Sequence, residues 1–272
     1  MRTSHVVIEW FEQFPLLPGA LIVIGGFVLL SIVMGRVTHR LARTDALFEH
    51  NDLAGFIFAV VGVIYAVLLG FVAVGVWERF TGAEARTYDE AAQLTIVYRD
   101  AAVFPAKEQL LRSELRTYVE DLVVNVWPAM ARGRSEDSNG ERAERLSATI
   151  NGLRPANFGE ANVQRKMIDA MAGALVDRDE RLTEDATGLN GIMWAVVICG
   201  AFITVAFSFL FGFKRRALQS IMIGGLALLI GLIIFLTMSL DYPYRGSIRV
   251  GPEAFERALS TFTAIAAADA QR

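Results

Sequence analysis

Four stretches of this chain carry no charged residue: Leu16–Gly35, Leu53–Trp77, Gly191–Phe213 and Ile221–Leu240, of 20, 25, 23 and 20 residues. A helix needs ~20 apolar residues to cross the hydrocarbon core of a bilayer, and a helix satisfies its own backbone polar groups there. Each stretch is therefore read as a membrane span. Hydrophobic residues make up 54% of the chain and charged residues 20%, against ~45–50% and ~25% in soluble domains. The excess is modest but concentrated in those four runs, which excludes a soluble globular protein and equally a disordered or collagen-like chain. The formal net charge of −3 offers no basic surface for nucleic acid. The expected fold is an all-α integral membrane protein with four transmembrane helices. A long helical extramembrane bundle is expected between spans two and three.

The segment before the first run holds Glu9 and Glu12 beside Arg2, and no small-x-small site follows the run. It is thus read as an uncleaved span and not as a signal peptide. Orientation rests on the short loops. The first contains Arg36, Arg40 and Arg43; the last contains Lys214, Arg215 and Arg216; the acids among them are Asp45, Glu49 and Asp52. Basic residues of short loops stay cytoplasmic. Glu78–Gly188, with 15 basic and 20 acidic residues, then lies outside, together with both termini.

One helical face can be followed without interruption from Gly55 to Ala101. It runs through Ala59, Gly62, Ala66, Gly70, Ala73, Trp77, Phe80, Ala83, Thr87, Ala91, Leu94 and Tyr98, with every spacing three or four residues. This predicts a single helix of about fifty residues, ~75 Å long at 1.5 Å per residue. Asn51 or Asp52 is its expected N-cap, and Pro105 ends or kinks it. Within the membrane the stripe is Gly and Ala, which lets helices approach closely; beyond it the residues are larger, as in a water-exposed bundle.

A second external helix is expected from about Pro105 to Trp127, ended by Trp127-Pro128. Arg132–Gly140 reads as a polar loop and Glu141–Leu153 as a short helix. The last external helix is expected from about Ala161, continuing into the third span with Gly188 as its weak point. Asp241–Gly246 closes the fourth span in a turn, and Pro252–Ala268 reads as an amphipathic helix. The expected divisions are 1–52 (first span and loop), 53–104 (second span and its extension), 105–188 (extramembrane helical domain), 189–240 (third and fourth spans) and 241–272 (terminal turn and helix).

No catalytic or nucleotide-binding motif is present, so no enzyme activity and no cofactor are expected. His5, His39 and His50 are too scattered for a metal site, and the lone Cys199 reads as a small packing residue. The spans hold no Asp, Glu, Lys, Arg or His, which argues against a proton-driven pump or a voltage sensor. Tyr65 within the second span either bonds a neighbouring helix or touches a permeating ion. The pore or mouth candidates are His50, Asn51 and Asp52 at the cytoplasmic start of that span, Phe56, Gly62, Tyr65, Gly70 and Phe71 within it, and Glu78 and Asp241 at the outer side. Asp241 is expected to tie the last turn to Arg245 or to cap a backbone group. Glu90 and Arg99 stand nine residues apart on the long helix and cannot pair within it. Glu90, Arg99 and Arg181 are therefore candidates for ion pairs between helices, with Arg116 and Arg178 as further partners.

The run HNDLAGFIFAVVGVIYAVLLGFVAVGVWERF, followed by EAAQLTIVYRDAAVFP, resembles the bacterial bestrophin-like family of unknown function. So do the VWP of Val126–Pro128, the RDERL of Arg178–Leu182 and the LDYPYRGSIRV of Leu240–Val250. The resemblance covers nearly the whole chain. It implies four membrane helices, a bacterial inner membrane, and kinship to bestrophin anion channels, which are ring-shaped homo-oligomers. The partners it implies are the lipid bilayer, further copies of the chain and a permeating ion. No cluster of acids like the bestrophin calcium clasp is found. A hydrophobic constriction that gates by dewetting has a candidate face in Phe56, Val60, Val67, Phe71 and Val74. The second reading is a non-conducting sensor or scaffold whose external bundle binds a partner.

Overall fold

The computed structural model describes residues 16–41, 51–134, 139–209, 211 and 216–271, and every regular element among them is helical. The helices are α1 (Leu16–Leu41), α2 (Asn51–Asp100), α3 (Pro105–Asp121), α4 (Trp127–Met130), α5 (Gly140–Asn151), α6 (Phe158–Ala186), α7 (Gly191–Ser208), α8 (Arg216–Leu240) and α9 (Glu253–Asp269). Two compact units result, one formed by residues 1–79, 189–241 and 246–248, the other by 80–188, 242–245 and 249–272.

The first unit is the membrane part. Three of its helices are long and apolar enough to cross a bilayer: Gly191–Ser208, Ala217–Leu240 and the apolar part of α2. In α1 the apolar stretch among described residues is shorter, Pro18–Leu29, so the described residues meet the length requirement at three of the four expected spans. α1 packs along α8. A Cβ on Gly231 would sit 3.3 Å from the Ile24 Cα, and one on Gly19 would sit 3.7 Å from the Phe235 ring. These two pairs run in opposite senses along the chain, so the helices are antiparallel, and Gly231 is the point of close backbone approach. Small residues serve this purpose in lipid, where contact comes from packing and not from expelling water. Tyr65, Leu69 and Val72 of α2 form a buried core with Val197, Ala201 and Val205 of α7 and Ile223, Ala227, Ile230 and Ile234 of α8.

The second unit is a helical bundle with its own core. The continuation of α2 contributes Ala83, Ala91, Leu94, Val97 and Tyr98; α3 contributes Leu111, Leu115 and Tyr118; α6 contributes Met167, Met171 and Ala174; α9 contributes Phe255 and Phe262. Tyr98 stacks on Phe262 at 4.0 Å with an interplanar angle of 3°, a geometry that adds ~0.5–1.5 kcal/mol beyond area burial. Trp127 lies edge-on to Tyr244 and donates its indole N–H to the Val250 carbonyl at 3.1 Å.

Several boundaries differ from expectation. Trp127-Pro128 does not end the second external helix. The chain passes from α3 through a π-turn at Leu122–Val126 into α4, and Pro128 falls in the first turn of that new segment, where its missing N–H costs nothing. α6 begins earlier than Ala161, at Phe158. Asn157 caps it by accepting from the Glu160 N–H at 2.9 Å, while Glu160 accepts from the N–H of Ala156, the residue before the cap, at 2.6 Å, a near relative of the capping box. Nor does α6 run on into the third span. It stops at Ala186, Thr187 is extended (φ −123°, ψ 121°), and Asn190 starts α7 by accepting from the Ile192 N–H at 3.1 Å. Pro105 follows a 3-10 turn at Ala101–Val103 and occupies the first turn of α3.

Candidate functional site

The apolar part of α2 shows two faces. At 3.6 residues per turn, Tyr65, Leu69, Val72 and Val76 share one side of the helix, and all four are buried. Phe56, Val60, Val67, Phe71 and Val74 share the side roughly 180° away, and all five are exposed, Phe56 to 72% and Phe71 to 74%. Val63 and Ile64 extend this exposed side. The Gly–Ala stripe runs along the flank between them. A Cβ built on Gly62 or Gly70 would meet nothing within 4 Å, whereas one on Gly55 would meet the Phe211 ring at 3.6 Å, so within one subunit the stripe is open at Gly62 and Gly70. Beyond the membrane the same stripe changes role: Ala83, Thr87, Ala91, Leu94, Tyr98 and Ala101 are all buried in the bundle.

The structure separates Tyr65 from the other pore candidates. Its ring lies on Gly200 of α7, where a Cβ would come within 2.5 Å of two ring carbons. Its hydroxyl donates to the Val197 carbonyl at 3.1 Å. Tyr65 therefore joins two helices and points away from Phe56 and Phe71. Asn51 and Asp52 occupy the first turn of α2, while His50 lies outside the described residues. Glu78 is exposed. Asp241 is not at a surface: it is 1% exposed, accepts from the Leu189 N–H at 2.7 Å and the Trp194 indole N–H at 3.1 Å, and has Arg79 at 3.9 Å. Of the two roles expected for Asp241, the backbone cap is the one these contacts fill. Arg245 pairs with Asp185 at 3.0 Å and lies over the Tyr242 ring at 4.7 Å.

The buried charge of the second unit centres on Glu90 and Arg181. The guanidinium donates from Nε and Nη2 to the two carboxylate oxygens at 2.9 and 3.1 Å, and each residue is 1% exposed. It also lies 4.9 Å from the Trp127 ring. Burial opposes the charge on Arg181, but the Glu90 carboxylate outweighs it and holds the guanidinium more firmly protonated. Burial, with the Glu90 charge second, pushes the Tyr118 phenol up; burial pushes Tyr244 up as well. Thr87 and Tyr244 both donate to the Ala83 carbonyl, at 2.9 and 3.2 Å. Arg99, the third ion-pair candidate, is exposed near the end of α2. Sequence spacing gave no sign of the Arg245–Asp185 pair, because its partners are 60 residues apart on elements that share no periodicity. Among the described residues no group of three or more His, Cys, Asp or Glu is placed to hold a metal ion.

A membrane unit with one helix running on into a separately cored helical bundle is a distinctive arrangement, and a family model agrees with it: the Bestrophin-like domain matches residues 22–255. The chain belongs to the Bestrophin-like family. Solved structures give the same answer for the fold. A mutant of a bacterial bestrophin homologue from Klebsiella pneumoniae is 13% identical, with a TM-score of 0.66 over 90% of this chain and 99% of that one. Another structure of a bestrophin homologue from that organism has a TM-score of 0.65 at 13% identity, covering 90% and 97%. A third neighbour, described only as a membrane protein, has a TM-score of 0.65 at 14% identity over 89% and 98%. No curated protein matches by sequence. This bestrophin-like chain is thus a membrane protein whose fold is shared with bacterial bestrophin homologues.

Proposed function

We propose that the chain is one subunit of a homo-oligomeric ion channel, with α2 lining a central pore. The observation that carries this reading is the division of α2. Its outward face packs on α7, its Gly–Ala flank is open to a neighbouring helix, and its opposite face presents Phe56, Val60, Val67, Phe71 and Val74 to whatever surrounds the subunit. In a ring, the flank receives the next subunit and the apolar face narrows the lumen, where it gates by dewetting. In its most apolar window α2 is only 17% buried, against 28% and 33% in α7 and α8, so of these three spans it is the one that its own chain covers least. Family membership supports conduction, and the kinship with bestrophins makes anions the first ions to test. His50, Asn51 and Asp52 would stand at one mouth and Glu78 near the other.

In this reading the membrane is a bacterial inner membrane and α1 is a fourth span, because it packs along α8. The basic short loops put both termini and the helical bundle outside.

The test is ion flux from purified protein in liposomes. The wild-type protein is expected to conduct, and Phe71→Ser to conduct more by wetting the constriction. Reversal potentials in a salt gradient decide between anion and cation. No flux over a range of pH and calcium would overturn the reading and leave a non-conducting sensor or scaffold.

A further inference from the structure

In the helical bundle α2 keeps one exposed line, Ala85, Asp89 and Ala92, and a different helix packs on each side of it. On one side stand Arg86, Gln93 and Asp100, seven residues apart and therefore on one face. They hold α6: Arg86 pairs with Glu180 at 3.2 Å and with Glu184, Gln93 donates to Asp177 at 3.0 Å, and Asp100 pairs with Lys166 at 2.8 Å. On the other side α9 covers Tyr88, whose ring lies 5.7 Å from the Arg257 guanidinium, and Tyr98, which stacks on Phe262. We propose that Arg257 on the α9 flank of one copy pairs with Glu180 on the α6 flank of the next, in a head-to-tail contact between copies of this chain.

The two flanks carry opposite charge that one subunit leaves unbalanced. On the α6 flank Glu180 and Glu184 divide one guanidinium, that of Arg86. Asp177 accepts from the neutral Gln93 amide, and Asp89 makes no ion pair among the described residues. After burial, the charges of Asp89, Glu90 and Glu180 push the Asp177 carboxyl up, so the carboxylates of this edge repel one another. On the α9 flank Arg257 is exposed and has an aromatic ring beside it; among the described residues it makes no ion pair. Opposite potentials on two edges of one molecule suit a contact in which unlike edges meet.

Height along α2 decides which groups meet. Arg86 and Tyr88 are two residues apart, ~3 Å along the helix, so Glu180 and Arg257 stand at nearly one level on opposite flanks. Copies in a ring are related by rotation, and a rotation about an axis parallel to α2 preserves every level. It carries the α9 flank of one copy to the α6 flank of the next, with Arg257 level with Glu180. The pairings above make α6 antiparallel to α2 and α9 parallel to it. Lower numbers on α6 and higher numbers on α9 therefore lie farther along the bundle, and there both flanks turn small or apolar. On α9 Ser260, Thr261 and Ala264 are exposed, and the two hydroxyls donate back to the Arg257 carbonyl at 2.7 and 2.9 Å. On α6 Ala172 and Val176 are exposed, Val176 to 57%. The charged pair sets the register, and the uncharged strip beside it supplies close contact. The inference rests on the ring proposed above, because it needs copies arranged around α2.

Thiol cross-linking of the full-length protein in mild detergent tests it, beside native mass spectrometry of the wild type. Cys199 is the one cysteine of the chain, so Cys199→Ser gives a silent background. In that background a short bis-maleimide is expected to join chains carrying both Arg257→Cys and Glu180→Cys into a ladder on denaturing gels. The ladder should end at the subunit number that native mass spectrometry finds. Either cysteine alone is expected to give no ladder, because a head-to-tail contact does not bring a residue against its own counterpart. Charge exchange gives an independent reading. Arg257→Glu is expected to raise the protein concentration needed for half assembly by roughly ten-fold, and Arg257→Glu with Glu180→Arg to restore it. A monomeric wild type would overturn the ring, and this contact with it. A wild-type ring whose double-cysteine form gives no ladder, or a ladder from one cysteine alone, would leave the ring standing and overturn the contact. So would an Arg257→Glu protein that assembles as the wild type does.

Discussion

Arg181 of α6 and Glu90 of α2 face each other through two parallel hydrogen bonds of 2.9 and 3.1 Å, with both side chains closed off from water. The pair joins two helices whose residues are 91 apart in sequence. Removing one partner of a buried pair leaves the other charge without compensation, at a cost of ~3–5 kcal/mol. Glu90→Gln is therefore expected to lower the melting temperature of the bundle sharply. Glu90→Leu combined with Arg181→Met removes both charges and is expected to recover much of that loss. Thermal unfolding followed by circular dichroism measures all three proteins, and a double variant as unstable as the single one would contradict the argument.

Gly200 is predicted to be intolerant of any side chain. A Cβ there would meet the Tyr65 ring at 2.5 Å, and overpacking of this kind costs ~1–3 kcal/mol. Tyr65→Phe removes only the bond to the Val197 carbonyl, worth ~0.5–1.5 kcal/mol. Gly200→Val should thus destabilise the membrane unit more than Tyr65→Phe, and detergent-resistant melting of the two variants ranks them.

Gly70 gives the opposite expectation in an isolated subunit. Its surroundings are open, so Gly70→Leu should leave the fold of one chain intact. If the Gly–Ala flank seats a neighbouring α2, the same substitution separates the helices and shifts the protein toward smaller assemblies. Native mass spectrometry in mild detergent reads the change, and an unaltered assembly would show that the flank faces lipid.

Asp177 makes the stability of the bundle depend on pH. Burial raises its pKa first, followed by the charges of Asp89, Glu90 and Glu180, with Arg86 opposing. Gln93 donates to its carboxylate at 3.0 Å. A folded-state pKa above the unfolded one means that the favourable contribution is complete below the unfolded value and is lost as pH rises through the folded value. Stability attributable to Asp177 should therefore fall as pH rises from the unfolded value of ~4 through the raised folded value. Asp177→Asn should flatten that part of the curve, as measured by melting temperature against pH.

The membrane runs and the long second helix were legible in the sequence because both rest on local rules: length without charge, and a spacing of three or four residues. That rule reads Gly55 through Ala101 as one face. It does not say that the face is uncovered at Gly62 and Gly70 and buried at Ala83 and Leu94, because burial depends on which other helices arrive. Two boundaries escaped for similar reasons. Pro128 ends a helix in sequence logic, yet a π-turn upstream lets it start the next segment. The last external helix is found three residues from its expected start at about Ala161, yet the extended Thr187 breaks the expected continuation. Glu90, Arg99 and Arg181 were legible only as charges in need of partners. Which of them meet was decided by the packing of α2 against α6, and periodicity holds no information on that.

The exposed face of α2 also bears on how the protein is made. Phe56, Val60, Val67, Phe71 and Val74 are comfortable among acyl tails before any lumen forms around them, since lipid tails are no less apolar than they are. A lone subunit is then a stable resident of the bilayer from the moment its spans are inserted. If copies assemble as proposed, biogenesis has two separable stages, with folding completed before the copies meet. In the proposed homo-oligomer, dilution with fresh lipid, and not denaturation, is then the expected way back to the single chain.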